Sequence, residues 1–228
     1  MTSKDRARGQ TASSSAAEQT RSALVLSALR LFGQKGFEGT STRDIAAAAK
    51  ANIGSIAYHF GGKEGLRIAC AAFIVETIQG IVAQALSDSG PPPKGEAAAE
   101  ARLMATLERM VRFIIAEPQA GEIVQFVLRE LAQPTAALDT IYSGVFEPTH
   151  RRLCQTWAEA TGEDAESART RITVFTMVGQ IVYFRIGREA VLRRMGWQTI
   201  GAEESAAILD VARDNLAAIL TSRRGKPR

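Results

Sequence analysis

The stretch TSTRDIAAAAKANIGSIAYHFGGKEGL, residues 40–66, decides the fold of this chain. Its first half predicts a short helix, because Thr40 or Ser41 can cap the N-terminus and Asp44 brings a negative charge into the first turn. The helix continues through Ile45 and the alanines that follow it. A helix this short is not stable by itself, so other parts of the chain must pack against it.

A second short helix follows a tight corner at Lys50 and Ala51. Asn52 caps this helix, which runs through Ile56 and ends at residue 59 or 60. Two short helices joined by so brief a corner form a helix-turn-helix, a unit that places its second helix in the major groove of DNA. The stretch therefore predicts a DNA-binding domain.

A longer helix upstream must cover the apolar side of this pair. Residues 18–35 carry apolar side chains at helical spacing and are followed by Gly36, which predicts an amphipathic helix closed by a glycine. We expect residues 1–17 to form a flexible basic arm ahead of it. The side chains that the first helix should cover are Phe37, Ile45, Ile56 and Phe60.

The second short helix carries the residues expected to face DNA. Its leading residues Ile53, Gly54 and Ser55 are small or lightly branched, which lets the backbone approach the base edges. Tyr58 and His59, near the far end, can donate hydrogen bonds to phosphate oxygens. On an ordinary helix the same two rings would instead be a packed aromatic pair.

Lys63 opens the next helix and is a further candidate for a phosphate contact. Backbone N–H groups at a helix N-terminus already suit an anion, and a lysine there adds a positive charge. The two glycines before it, in the sequence GGKEGL, separate this helix from the previous one. Lys63 should therefore lie at the edge of the DNA-binding surface.

The composition agrees with an all-α protein that has a polyanionic partner. Of the 228 residues, 46% are hydrophobic and 6% aromatic, and the alternating pattern of strands is scarce. Residues 1–67 hold 10 Lys/Arg against 5 Asp/Glu, whereas residues 68–228 hold 18 against 19. This local basic excess favours a phosphate-rich partner, although a solvated arm would show the same charge.

The sequence predicts no metal site, cofactor or enzymatic activity. Cys70 and Cys154 lie far apart without metal-ligand spacing, and the chain has only two histidines and no glycine-rich phosphate loop. The N-terminus lacks the apolar core of a secretory signal, and the longest apolar stretches are interrupted by polar residues. We therefore expect a cytoplasmic protein that has no membrane partner.

The ordered pattern of Thr, Arg-Asp-Ile-Ala, Tyr-His-Phe and Lys-Glu-Gly-Leu over about residues 20–67 resembles the DNA-binding domain of the TetR family of transcriptional repressors. In that family, residues in the first short helix, at the end of the second and at the start of the next commonly contact phosphates, while the leading residues of the second face the bases. The predicted DNA contacts are Thr42, Arg43, Asn52, Ile53, Gly54, Ser55, Tyr58, His59 and Lys63.

Two positions depart from the pattern of that family. The corner usually carries glycine, so Lys50 requires a left-handed or adjusted backbone at a cost of about 1 kcal/mol. Ala57 replaces a frequent contact residue. The expected mode of docking survives both changes, and the operator sequence is not specified.

The rest of the chain predicts a helical second domain at residues 68–222. After a helix at 63–86, three consecutive prolines in SGPPPKG predict a turn at 89–95. Pro148 lies inside a later helical run and should kink or split it. Residues 223–228 form a basic tail. The further helices are expected at about 96–116, 119–132, 135–160, 163–194 and 203–222.

Two side-chain patterns in this domain each allow two interpretations. Tyr142, Phe146, His150, Leu153 and Trp157 recur at a spacing of three or four residues, which fits either core packing or the wall of a ligand pocket beside the proline. The helix around Gln180 places small and polar residues on one face, which fits either a dimer seam or a pocket wall. Besides Gln180, that face holds Thr173, Thr176, Tyr183 and Gly187.

The segments QFVLRELAQPTAALDTIYSGVFEPTHRRLC and VGQIVYFRIGREAVLRRMGW resemble the C-terminal domain of the CecR-type branch of the TetR family. This resemblance implies a homodimer whose C-terminal helices pair, and a core that can bind a small-molecule effector. The predicted ligand contacts are Phe126, Arg129, Tyr142, Phe146, His150, Trp157 and Gln180. The predicted function is a homodimeric repressor that an effector releases from a palindromic DNA operator; the alternative is a constitutive DNA-binding protein or an activator without an effector.

Overall fold

The computed structural model describes residues 3–87, 94–117 and 120–223, with side chains from residue 16 onward except those of residues 82–87. Within these ranges the chain is all-α, which confirms the predicted fold class. The helices are α1 (Ser3–Lys35), α2 (Thr42–Ala48), α3 (Gly54–Phe60), α4 (Lys63–Ser87), α5 (Glu96–Val111), α6 (Ala120–Ala132), α7 (Ala136–Ile141), α8 (Glu147–Thr161), α9 (Ala168–Ile186), α10 (Arg188–Met195) and α11 (Ala202–Arg223). The predicted proline turn and most of the basic tail lie outside the described residues.

Pro148 splits a helical run as predicted. The run predicted at residues 135–160 consists of α7, a π-helical turn at Tyr142–Phe146 and α8, and Pro148 lies in the first turn of α8. Proline has no N–H to donate and its ring excludes the carbonyl one turn earlier, so regular α-helical bonding cannot pass through this point. A second π-helical turn, Arg112–Ala116, follows α5 and was not predicted.

Three helix boundaries differ from the prediction. The first helix begins at Ser3 and not near residue 18, because extending an existing helix through residues such as Ala, Arg and Gln costs less than starting a new one. The run predicted at 163–194 begins at Ala168, where the Ser167 hydroxyl accepts from the Thr170 N–H at 3.1 Å. Gly187 then divides that run into α9 and α10.

The chain forms two compact units. The first comprises Met1–Ile81 and Glu122–Gly144, and the second comprises Val82–Gly121 and Val145–Arg228. The first unit therefore adds most of α4, most of α6 and all of α7 to the three N-terminal helices. This division differs from the domain boundary predicted after residue 67, because α6 and α7 pack with segments distant in sequence.

The core of the first unit forms on the inner face of α1. Phe32 lies there with a ring contact of 6.4 Å to Phe126 of α6. Ile45 of α2 and Ile56 of α3 are buried as predicted, while the two other predicted residues, Phe37 and Phe60, are half-buried. Burial of these side chains supplies the stability that two seven-residue helices lack by themselves.

The core of the second unit lies between α5, α8, α9 and α11. Its largest side chain is Trp157, which is fully buried and donates its indole N–H to Glu163 at 2.9 Å. Leucines of α5 and α11 and Met177 of α9 belong to the same cluster. No helix in the described ranges is both long and apolar enough to cross a membrane.

Candidate nucleic-acid interface

A reciprocal cap starts α2. The Ser41 hydroxyl accepts from the Asp44 N–H at 3.0 Å, and the Asp44 carboxylate accepts from the Ser41 N–H at 3.3 Å. Hydrogen bonds from Ser41 hold the pKa of Asp44 below its ordinary value. Of the two predicted caps Ser41 is therefore the correct one. Thr40 is buried and donates its hydroxyl to the carbonyls of Gly36 and Leu31.

The corner between α2 and α3 is left-handed, as predicted. Lys50 has a φ of 52°, its N–H bonds the Ala47 carbonyl at 3.1 Å, and the Ala51 N–H bonds the Ala46 carbonyl at 2.9 Å. This pair of bonds is the Schellman arrangement, which usually has glycine at the left-handed position. Lysine fills that position here, so the corner carries the strain expected of a residue with a Cβ.

Ile53 occupies the N-cap position of α3 without a side-chain cap bond, one residue after the predicted cap, Asn52. The Asn52 side-chain oxygen accepts from the Gly54 N–H at 2.8 Å, and the Asn52 carbonyl accepts from the Ser55 N–H at 3.0 Å. A Cβ on Gly54 would lie 3.3 Å from the Asn52 oxygen, so a larger residue would crowd this bond. The helix ends at Gly61, which has a φ of 73°.

The outer face of α3 is open to solvent. Asn52 and Gly54 are exposed, Ile53 is 49% exposed, and Ser55 is half-buried. Ile56 alone in this helix is buried, and it points toward α1 and α2. The leading end of α3 is thus free to approach the base edges of a DNA major groove.

The predicted phosphate contacts flank this open face. Tyr58 is 84% exposed and meets the His59 ring edge-on at 4.9 Å, so the tyrosine is not part of the core. At the start of α2, Arg43 is exposed and Thr42 is half-buried. Their contacts with DNA remain predictions.

Lys63 begins α4, and its ammonium lies 4.0 Å from the centre of the Phe37 ring. The guanidinium of Arg67, one turn further along α4, lies 4.5 Å from the same ring. The sequence indicated Phe37 only as a core residue, and its contact with two cations was missed. The contact depends on how the loop after α1 meets α4, which no local pattern shows.

Two side chains of α6 bind the helix-turn-helix region. Arg129 donates to the carbonyls of Gly33 and Gln34 at 2.6 and 2.8 Å, which satisfies acceptors at the end of α1. Glu130 is 2% exposed and accepts from the Arg67 guanidinium at 2.6 Å and from the Thr135 hydroxyl at 2.6 Å. These bonds fix α6 to α1 and α4 within the first unit.

The seven predicted ligand contacts divide between the two units. Phe126, Arg129 and Tyr142 belong to the first, where Phe126 is buried and Tyr142 is 54% exposed. In this structure Arg129 has two of its donor nitrogens, Nε and Nη2, bonded to the end of α1. A ligand-binding role for these three residues remains a prediction.

The other four belong to the second unit. His150 stacks on Phe175 of α9 at 3.9 Å, and its Nε2 lies 3.1 Å from the Arg171 carbonyl oxygen. Phe146 is half-buried, and Gln180 accepts from the Asn215 side chain at 3.1 Å. Trp157 lies in the core. These residues also stay predicted ligand contacts.

Three short-range features, the capped α2, the left-handed corner and the exposed α3, define a helix-turn-helix DNA-binding unit. A family model for bacterial regulatory proteins of the tetR family matches residues 24–70. A second model, for the C-terminal domain of the HTH-type transcriptional dual regulator CecR, matches residues 99–222. The chain belongs to the TetR family of transcriptional regulators, and its C-terminal part is of the CecR type.

Relatives in sequence are also transcriptional regulators. The HTH-type transcriptional dual regulator CecR of Shigella flexneri is 33% identical over 195 residues, which cover 84% of this chain and 86% of that protein. The HTH-type transcriptional regulatory protein RaaS of Mycobacterium tuberculosis is 39% identical over 108 residues, or 46% of this chain and 48% of that protein. Both relatives are named as regulators of transcription.

Solved structures show the same fold. AibR in complex with isovaleryl coenzyme A and operator DNA superposes with a TM-score of 0.62 at 17% identity, covering 86% of this chain and 97% of AibR. A transcriptional regulator from Rhodococcus sp. Rha1 gives a TM-score of 0.61 at 15% identity, covering 91% and 99%. At these identities the likeness concerns the fold alone.

Proposed function

We propose that this protein is a homodimeric transcriptional repressor that a small-molecule effector releases from a palindromic operator. The open face of α3 carries this proposal, because it presents backbone and small side chains to solvent between flanking phosphate-binding candidates. Phosphate contacts from Thr42, Arg43, Tyr58, His59 and Lys63 would fix the register of the helix on DNA. Such a protein acts in the cytoplasm, where its DNA lies.

The surface of α9 supports dimerisation. Four apolar side chains at helical spacing are each more than half exposed on this helix: Ile172, Phe175, Tyr183 and Ile186. Gly179 lies in the same row, and a Cβ built there meets nothing within 4 Å. A single folded chain rarely leaves so continuous an apolar row in water, so a second copy is the occupant that we propose.

Helix α11 extends this surface. The Asn215 side chain bonds Gln180 of α9, which brings the exposed faces of the two helices side by side. Val211 is 61% exposed on α11, and Ala207 and Ala218 are exposed in line with it. Of the two interpretations of the α9 face, these contacts favour the dimer seam; Thr173 points into the core and contributes little to it.

A two-fold dimer constrains the operator. Each α3 must meet its half-site in the same orientation, so the operator should be roughly palindromic, with half-sites spaced by the dimer. Bound at a promoter, the dimer would exclude the transcription machinery. Repression would then follow from occupancy alone.

Release by an effector requires that the ligand favour one of two states. The seven predicted ligand contacts are the candidate effector-binding residues, and a solved structure of AibR, which is similar in fold, contains isovaleryl coenzyme A and operator DNA, which supports ligand binding by proteins of this fold. We propose that effector binding shifts α4 and thereby the separation of the two α3 helices. A ligand with equal affinity for both states would release nothing.

Fluorescence anisotropy tests DNA binding first. The purified chain is titrated onto the duplex immediately upstream of its own gene and onto a scrambled duplex, at two salt concentrations. We expect selective binding that weakens with salt, and a loss of about 10- to 100-fold for the Tyr58→Ala, Lys63→Ala double variant. Met195→Ala, which removes an exposed apolar side chain of α10 in the second unit, is the control and should bind as the parent does. Equal, weak binding to both duplexes would count against this operator; a genome-wide binding selection that also returned no preferred sequence would overturn sequence-specific binding.

Effector release needs a separate experiment. Compounds that raise the melting temperature of the free protein are added to the protein–operator complex, and calorimetry measures operator affinity with and without each one. The proposal expects at least one such ligand to weaken operator binding. Ligands that bind the protein and leave operator affinity unchanged would contradict the release step.

A second candidate is activation at some promoters. The relative from Shigella flexneri is named a dual regulator, and a dimer bound beside a promoter could also raise transcription. Reporter fusions to the bound promoters, measured with and without the gene for this protein, distinguish the two. Lower reporter output on deletion would show activation, and higher output would show repression.

A further inference from the structure

Phe37 holds an unusual position for an aromatic residue of a small core. It lies in the loop after α1, and its ring packs against Phe32 with centroids 5.4 Å apart. The Lys63 ammonium and the Arg67 guanidinium lie 4.0 and 4.5 Å from the centre of this one ring. Both cations are thus within the range in which an aromatic ring attracts a positive charge.

The two cations differ in what else they bind. Arg67 is nearly buried, and its guanidinium donates to the Glu130 carboxylate of α6 at 2.6 Å. This ion pair holds the guanidinium beside the Phe37 ring. Lys63 is half-buried, and among the described residues its ammonium has no carboxylate partner within 4.0 Å and no hydrogen bond. The ring is therefore the contact that restrains the lysine, and its donors stay available.

Restraint of a lysine has a physical consequence for DNA binding. A free lysine side chain loses rotamer entropy when it settles on a phosphate, and this loss reduces the affinity of the contact. A ring that already holds the Lys63 ammonium at the start of α4 removes part of that loss. The attraction of an aromatic face for a cation persists when the cation also binds an anion on its open side.

We infer that Phe37 is a positioning residue for the operator, acting through Lys63. The inference rests on the proposed function, since it takes Lys63 to be a phosphate contact. Phe37 itself touches no DNA. Its ring, fixed by Phe32 and by the Arg67–Glu130 pair, keeps the lysine where the phosphate arrives.

A double-mutant cycle on operator affinity tests this. Phe37→Leu keeps an apolar side chain at this position and removes the aromatic face. We expect this substitution to weaken operator affinity by about 2- to 5-fold for each subunit bound to DNA. In a Lys63→Ala background the same substitution should cause no further loss, and Phe37→Tyr, which keeps a ring, should restore parental affinity. Equal losses in both backgrounds, or tighter binding by Phe37→Leu, would overturn the inference.

Phe60→Leu is the matched control. Phe60 is a half-buried aromatic residue of the same unit. The cation over its ring is the Arg21 guanidinium, 5.6 Å from the ring centre, and not the Lys63 ammonium. Its effect on affinity should be the same with and without Lys63. Circular dichroism melts of every variant separate loss of folding from loss of positioning.

A measurement on the free protein separates this inference from the proposed function. Protons on the Lys63 side chain next to the ammonium should show an upfield ring-current shift in NMR spectra that disappears in Phe37→Leu and persists in Phe37→Tyr. Absence of the shift in the parent would overturn the inference even if DNA binding is confirmed. If the shift is present but Lys63→Ala binds the operator with parental affinity, Lys63 does not contact a phosphate. That result would overturn the positioning role of Phe37 and leave DNA binding by the helix-turn-helix standing.

Discussion

Lys50 is the one non-glycine residue in the described part of the chain with a positive φ. The Schellman bonds around it force this conformation, because they close only when the residue after the cap is left-handed. The backbone strain comes from the Cβ atom of Lys50 and not from the charge of its side chain. Substitution at this position can therefore separate backbone strain from any effect of the lysine on DNA.

Lys50→Gly should stabilise the protein by about 1 kcal/mol, because glycine adopts this φ without a Cβ clash. Urea denaturation followed by circular dichroism measures the change. Lys50→Ala keeps the clash and removes the charge, so it should be no more stable than the parent. Equal stability of the glycine and alanine variants would show that the corner is not strained.

The cap at α2 gives a prediction about pH. The pKa of Asp44 is lowered by its bonds to Ser41, so the folded state favours the carboxylate and the resulting stability is present above the unfolded pKa, near 3.8. It is lost as the pH falls through the lower folded value. Asp44→Asn keeps an acceptor for the Ser41 N–H and removes the charge, so the parent should be more stable at pH 7 and this advantage should shrink below about pH 4. An advantage that is the same at pH 7 and pH 3 would contradict this assignment.

At the scale of elements, the Arg67–Glu130 pair is a buried ion pair that links α6 to α4. Both side chains are nearly buried, and 63 residues separate them in the chain. Removing one member leaves the other charge buried without its partner, which costs more than the intact pair contributes.

Glu130→Ala should destabilise the fold by about 3–5 kcal/mol, measured by chemical denaturation. Glu189→Ala is the control, because the Arg193–Glu189 pair has a similar geometry at 2.7 Å but both side chains are largely exposed. That change should cost less than about 1 kcal/mol. Similar losses of stability in the two variants would mean that burial does not increase the contribution of the Glu130 pair to the free energy of unfolding.

At the scale of the whole molecule, the exposed face of α9 and α11 is where we propose that two copies pair. The four apolar side chains on α9 would each be covered in a paired dimer, and charge introduced there would be buried without a partner. The same change on another exposed apolar residue has no such cost. Assembly and operator binding should therefore fail together.

The Ile172→Glu, Tyr183→Glu double variant should elute as a monomer of 24.5 kDa in size-exclusion chromatography with light scattering, whereas the parent should have twice that mass. Its operator affinity should fall more than about 10-fold, since each subunit then meets a single half-site. Leu131→Glu, on the exposed side of α6, is the control and should stay dimeric. A dimeric double variant would place the seam elsewhere.

Much of the fold and part of the site were predictable from sequence because they depend on bonds within three or four residues. Asn52 bonds the backbone at the start of α3 and Lys50 takes a left-handed corner because the residues involved are neighbours in the chain. Pro148 divides its helical run for the same local reason. The spacing of apolar residues likewise predicted that Ile45 and Ile56 are buried.

Only the tertiary structure decided the features that join distant segments. Arg129 bonds the end of α1 across 95 residues and Glu130 pairs with Arg67 across 63, so no local pattern could assign their partners. The same holds for Phe37, whose ring meets two cations of α4, and for the grouping of α6 and α7 with the helix-turn-helix. Sequence by itself determined the DNA-binding unit, because caps and turns act over short distances; packing decided how that unit is held, because burial and ion pairing depend on which remote surfaces meet.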